Sequence, residues 1–167
     1  MRRVSPPTEP PDDIAIAPAG PDDRLDALRV LDAAMLETDP GVVDAAIDAG
    51  DALVARFKRT DAVVGALVAT RPEPDRLHVD AVAVRRARRG RRIGSALVAA
   101  AVRRAERDPA LAVVTAAFDA DLRAFYADLG FAVRPAGRPS ERGVADATGA
   151  DDEDRLWGRV VVDRSSP

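Results

Sequence analysis

The residues with the most chemical potential lie between Leu77 and Val98, LHVDAVAVRRARRGRRIGSALV, where a strand-like run passes through a glycine-bearing turn into a helical pattern. A helix N-terminus leaves four backbone N–H groups without intrahelical partners, and with the helix dipole they form a site for phosphate. Gly90 and Gly94 carry no side chain, so a ligand or the sheet can approach the main chain closely. Arg85, Arg86, Arg88, Arg89, Arg91 and Arg92 bring fixed positive charge, suited to bidentate phosphate contacts, to the same turn. The ligand this implies is a polyphosphate. There is no G-x-x-x-x-G-K-[ST] and no G-x-G-x-x-G at the first strand, which disfavours ATP and NAD.

Few other side chains offer chemistry. The chain has no cysteine, which excludes disulfides, thiolate metal sites, iron–sulfur clusters and cysteine nucleophiles. His78 is the only histidine, so a multi-histidine metal site is excluded and a serine-type triad would have to use this one imidazole. His78 and Asp80 share one strand face by period two, opposite Leu77 and Val79. An imidazole with a pKa near 6.5 suits proton abstraction at neutral pH, and a lone strand histidine serves equally as hydrogen-bonded structure. Tyr126, beside Phe125 in a helical pattern, offers a phenol proton or an amphipathic packing surface.

Charge balance narrows the partners. With a net charge of -3, the chain lacks the basic balance of a domain whose whole surface meets nucleic acid. The arginine run can be a solvated turn or a nucleic-acid patch, but it has no interleaved aromatics for base stacking, and aromatic residues make up only 4% of the chain. Phosphates of a small ligand are the better partner.

The elements that must position these residues follow from periodicity. The 167 residues, 47% of them hydrophobic, suit one globular domain over residues 13–163, with tails at 1–12 and 164–167. The start, MRRVSPPTEPPDD, lacks the apolar segment of a signal peptide, and no apolar run approaches the roughly 18 residues that span a bilayer. A cytoplasmic protein without membrane contact is expected. Ile14 to Ala17 reads as a strand, followed by two helices, the first started by Pro21, Asp22 and Asp23 and carrying Leu25, Leu28, Leu31 and Met35, the second beginning after Pro40. Strand-length runs at 52–59, 62–71 and 77–84, joined by short polar links, predict an antiparallel meander. Ile93, Leu97, Ala100 and Ala101 share a face of a long helix that Pro109 ends, and Leu111 to Ala117 is a buried strand reached by a right-handed crossover. Asp119 or Asp121 can cap the next helix, where Leu122, Phe125, Tyr126 and Leu129 recur before Gly130. Phe131 to Arg134 and Leu156 to Val162 are final strands, joined by a Gly, Pro and Asp-rich loop from Pro135 to Asp154, and Trp157 reads as sheet-face or core packing. The expected architecture is α/β (α+β): a mixed sheet of about seven strands with about four helices.

Two segments carry a family resemblance. Arg89-Gly90-Arg91-Arg92-Ile93-Gly94, after the strand end Ala81 to Val84, resembles the acyl-CoA signature of the GNAT superfamily of N-acetyltransferases, Arg/Gln-x-x-Gly-x-Gly/Ala, with Arg92 where that family usually has glycine. Arginine at a glycine-type φ > 0 position costs roughly 1 kcal/mol or more. DADLRAFYADLGF, Asp119 to Phe131, is similar to the family's N-x-x-A-x-x-F-Y-x-x-x-G-F helix, with Phe125, Tyr126, Gly130 and Phe131 in register, Asp119 replacing the asparagine that contacts the pantetheine region, and Leu122 replacing a small residue. The resemblance in element order covers Ile14 to Val162.

The resemblance implies acetyl-CoA (coenzyme A) as cofactor and an amine as acceptor. It places the pantetheine arm between two diverging parallel strands, bonded to main chain at Val82, Ala83 and Val84. The diphosphate falls on Arg89, Gly90, Arg91, Arg92, Ile93, Gly94 and Ser95, with Asp119 and Phe125 beside the arm. Tyr126 is the implied proton donor to the leaving thiolate, and the base is left between His78, Asp80 and water. Direct attack in a ternary complex agrees with the absence of cysteine. The alternatives are a non-catalytic acyl-CoA-binding module of the same fold and, further off, an arginine-mediated nucleic-acid binder. The acceptor pocket falls to the two-helix excursion and the loop at 135–154, whose acids, with Glu37 and Asp39, read as solvated charges. Small-molecule and peptide amines, and a homodimer through a sheet edge, are left open.

Overall fold

The computed structural model describes residues 10–33, 38–85, 92–135 and 155–162. Expectations for residues 1–9 and 164–167 of the tails, for Met35 and Glu37, for Arg86 to Arg91 and for the loop at 136–154 lie outside the described residues. The chain runs β1 (Ile14–Pro18), α1 (Arg24–Ala33), α2 (Pro40–Ala49), β2 (Ala52–Phe57), β3 (Ala62–Glu73), β4 (Arg76–Val84), α3 (Ile93–Glu106), β5 (Val113–Asp119), α4 (Arg123–Asp128), β6 (Ala132–Pro135) and β7 (Arg155–Val161). The seven strands form one sheet in the order β1-β2-β3-β4-β5-β7-β6. The β4–β5 pair is parallel and its neighbours are antiparallel, as the meander and the crossover helix require. Among the described residues, seven strands and four α-helices agree with the expected mixed sheet.

Helix ends follow local chemistry. Asp39 caps α2 by accepting from the Gly41 N–H at 3.0 Å, Pro40 occupies the first turn, and Gly50 ends the helix at φ 77°. The segment after β5 departs from expectation. The expected helix through Leu122 to Leu129 begins as a 3-10 turn, Ala120–Leu122, and continues as the short α4. Asp119 does not cap it; its carboxylate faces Arg155 at 3.4 Å on the neighbouring strand. Competition from a charged partner explains the lost cap.

The two faces of the sheet bury separate cores. Leu77 and Val79 of β4 pack with Ile93, Leu97, Val98 and Ala101 of α3, and with Phe118, Tyr126 and Phe131. Ala81 and Ala83 instead join Ala27, Val30 and Leu31 of α1 and Val43 and Ala46 of α2. Strict alternation would put all four β4 residues on one face. The switch comes from a β-bulge: Val68 pairs with Ala81 and Ala69 with Val79, so Asp80 is an extra residue in β4. The period-two argument that puts His78 and Asp80 on one face is therefore corrected, because the bulge interrupts the period between them. At the sheet end away from the α3 N-terminus, buried Asp51 accepts from Arg71 at 2.9 and 3.1 Å, and Arg71 also reaches Asp108 at 3.1 Å, tying β2, β3 and the α3–β5 link together.

Candidate functional site

β4 and β5 pair only from Arg76–Val113 to Val79–Ala116, although β4 continues to Val84 and β5 to Asp119. The bulge at Asp80 bends β4 where this pairing stops, and bulges increase local twist. The two strands part above the fork, opening a cleft of ≈ 680 Å³. One wall is Val79 to Val84, the other Ala117, Phe118 and Asp119; the start of α3, from Arg92 to Ser95, and Leu122, Phe125 and Tyr126 complete it, with Arg155 at its edge.

The start of α3 is built as a donor site. The first helical bond runs from the Ala96 N–H to the Arg92 carbonyl at 3.0 Å, so the N–H groups of Ile93, Gly94 and Ser95 precede the intrahelical ladder. Among the described residues no side chain caps the end at Arg92, which sits in the left-handed region at φ 65°, ψ 17°. The chain thus adopts the glycine-type conformation with an arginine. Gly94 faces Phe125 and Val84; a methyl group there would lie 3.7 Å from the Phe125 ring and fill the gap between helix and cleft wall.

Tyr126 is 5% exposed and lines the cleft. It stacks on Phe118 with centroids 4.0 Å apart and meets Phe125 and Phe131 edge-on at 4.9 and 5.3 Å. Three rings fix its orientation without supplying a charge. Burial pushes its phenol up to about 12, so the hydroxyl keeps its proton throughout the neutral range.

His78 is not among the residues lining the cleft. Its Nδ1 lies 2.8 Å from Thr115 Oγ1, and its ring stacks against Trp157 with centroids 5.5 Å apart. Burial lowers its pKa below the usual 6.5; nearby Asp80 opposes that shift and Arg76 reinforces it. Asp80 does line the cleft, exposed on the bulge.

The structure therefore gathers Asp80, Val82, Ala83, Val84, Arg92, Ile93, Gly94, Ser95, Asp119, Phe125 and Tyr126 around one cavity. Arg89, Gly90 and Arg91 lie outside the described residues. Sequence reasoning missed Phe118 and Arg155. Phe118 had a signal in the alternation of β5, whereas Arg155 reaches Asp119 only through the β5–β7 register, across 36 positions.

The sequence profile of the Acetyltransferase (GNAT) family matches residues 23–131, which hold the cleft walls, the start of α3 and Tyr126. The chain belongs to this family. Its fold is that of several solved structures. Ard1 from Thermoplasma volcanium superposes with a TM-score of 0.67 at 18% identity, over 90% of this chain and 98% of that one. Naa50 of Arabidopsis thaliana, solved with the bisubstrate analogue CoA-Ac-MVNAL, gives 0.68 at 16% identity over 89% and 98%. The mosquito protein arylalkylamine N-acetyltransferase like 5b gives 0.65 at 12% identity over 89% and 99%. No curated protein matches the chain. Family membership makes this GNAT chain an acyltransferase, and among its described residues no helix is long and apolar enough to cross a membrane.

Proposed function

We propose that the protein is an N-acetyltransferase that moves an acetyl group from acetyl-CoA to an amine within one ternary complex. The observation that carries this reading is the parting of β4 and β5 above Val79–Ala116, with Tyr126 buried on the cleft wall. The residues fit the cofactor. Backbone from Asp80 to Ala83 runs beyond the last β5 partner and offers main-chain groups to an amide-bearing arm, and the start of α3 supplies N–H donors and the Arg92 charge for a diphosphate. The cofactor supplies an acyl carbonyl activated by a thiolate leaving group.

The chain's own groups manage the protons. Tyr126, protonated up to about pH 12, would hold a phenol proton for the leaving sulfur of the bound cofactor. Asp80, exposed at the fork, attracts the cationic acceptor and takes up its proton directly or through one water. His78 holds Thr115 beneath the fork and acts on position, not on the proton. The bisubstrate complex of Naa50, which joins CoA to a peptide, supports a reading in which both substrates meet in one cleft.

A thermal scan tests the proposal. Acetyl-CoA at 100 times its Kd should stabilise the fold by about 2.7 kcal/mol, a rise of roughly 5–10 °C for a chain of this size. Thiol release over a panel of amines then establishes turnover. No shift with acetyl-CoA, together with steeply salt-dependent retention on DNA or RNA, would replace the proposal with a nucleic-acid binder. A shift without turnover on any amine would leave a non-catalytic acyl-CoA-binding module.

A further inference from the structure

The half of the sheet formed by β4, β5, β7 and β6 has one face packed under α3 and α4, and its other face carries an arginine cluster. Paired strand residues point to the same side, so the register assigns the faces. His78 pairs with Thr115, Thr115 with Arg159, Ala117 with Trp157, Asp119 with Arg155, and Trp157 with Arg134. Gly158 points the other way, towards Phe118 and Phe131 in the α3 core. The Arg76 guanidinium lies 5.7 Å over the Trp157 ring, placing it on the same side as His78. The helices α1 and α2 pack over β2, β3 and β4, so they do not reach β5, β7 or β6 in the main helix–strand contacts.

This face runs against the charge of the chain. The protein carries a net -3, yet Arg76, Arg134, Arg155 and Arg159 gather around one tryptophan. Arg76 is partly offset by Glu73 at 3.7 Å and Arg155 by Asp119 at 3.4 Å. Among the described residues, no carboxylate pairs with Arg134 or Arg159, and both are exposed. The Ala117–Trp157 pair sits just past the last β4–β5 pair, Val79–Ala116, so the cluster borders the fork.

We infer that this face docks an acidic polypeptide whose amine enters the fork, so that the acceptor is a peptide with carboxylates close behind its reactive amine. The inference rests on the acetyl-transfer reading and names the acceptor class for the same site. Adjacent strands lie about 4.8 Å apart, so Arg159 on β7 and Arg134 on β6 are two and three strand spacings from Asp80 on β4, roughly 10 and 14 Å. An extended peptide advances about 3.3–3.6 Å per residue, which puts its third to fifth residues within reach of these guanidiniums when the first is at Asp80. Guanidinium forks match carboxylates bidentately. A single-stranded nucleic acid fits less well, because the Trp157 ring already engages His78 and Arg76 and is not a free stacking platform.

Trp157 is the only tryptophan, so intrinsic fluorescence reports on this face without turnover. The titrant is a hexapeptide with a free N-terminal alanine and aspartates at its third to fifth positions, compared with the same peptide bearing asparagines there. Wild-type protein should bind the aspartate peptide at least tenfold more tightly at low salt, with the gap closing as salt rises. The double variant Arg134→Gln/Arg159→Gln should lose the gap while keeping the thermal shift with acetyl-CoA, and in thiol release the preference should appear in KM. Equal affinity for the two peptides, an unchanged gap in the double variant, or tighter binding of a single-stranded oligonucleotide than of the aspartate peptide overturns the inference. An absent acetyl-CoA shift in wild-type protein overturns the acetyl-transfer reading instead, and is read separately from the peptide titration.

Discussion

Arg92 provides the most direct test of how the start of α3 is built. It holds φ 65°, ψ 17° where the GNAT signature has glycine. An L-residue in this region carries about 1–2 kcal/mol of strain that glycine does not. Glycine in turn costs about 0.5–1 kcal/mol through the greater freedom it gives the unfolded chain. Arg92→Gly should therefore stabilise the protein by about 0.5–1 kcal/mol, or roughly 1–4 °C in Tm for 167 residues. Arg92→Ala keeps the strain and removes only the charge, so its Tm should stay near wild type. Calorimetric titration with acetyl-CoA separates the second role: both variants should lose affinity by a similar few-fold factor, because each loses the same guanidinium beside the donor N–H groups. A glycine variant no more stable than the alanine variant would refute the strain argument. Undiminished affinity in both would remove the side chain from the phosphate site.

Three further outcomes follow from the same geometry. Tyr126→Phe should lower kcat at least tenfold with little change in acetyl-CoA affinity, and wild-type activity should show no loss attributable to this phenol below about pH 11; wild-type rates in the variant would take Tyr126 out of proton transfer. The folded-state pKa of His78 lies below its unfolded value of 6.5, so between those two values the unfolded chain binds more protons. Stability should fall as pH drops through 6.5 and stop falling, for this group, below the folded pKa. His78→Gln should flatten that slope in denaturant titrations, and the lone imidazole resonance should titrate below 6.5; a midpoint at or above 6.5 contradicts the burial argument. Finally, a Cβ on Gly158 would lie 2.9 Å from Phe118 and 3.2 Å from Phe131, the rings that hold Tyr126. Gly158→Ala should destabilise by about 1–3 kcal/mol and depress kcat, whereas an unperturbed midpoint in urea would show that the ring stack relaxes freely.

Much of the fold was legible in the sequence because its signals are local. Alternation marked β4, the apolar spacing from Ile93 to Ala101 marked α3, and strand–helix–strand order required the parallel β4–β5 pair. The start of α3 and the Phe125–Tyr126 pair were likewise legible, since each occupies a few consecutive positions. Boundaries were less so: β3 continues through Pro72 to Glu73, and the expected helix after Asp119 begins as a 3-10 turn.

What the tertiary structure alone decided depends on pairing between distant segments. The bulge at Asp80 exists only as a mismatch between β3 and β4; it sends Val79 and Ala81 to different cores and ends the fork at Val79–Ala116. Asp119 gives up its cap to Arg155 because strand register, not sequence distance, makes them neighbours. His78 meets Thr115 and Trp157 for the same reason. Residue order thus determined the elements and the groups able to do chemistry, since propensity and periodicity act over a few residues. Hydrogen-bond register across the sheet decided which of those groups share a cavity, because one added residue changes the face every later side chain takes.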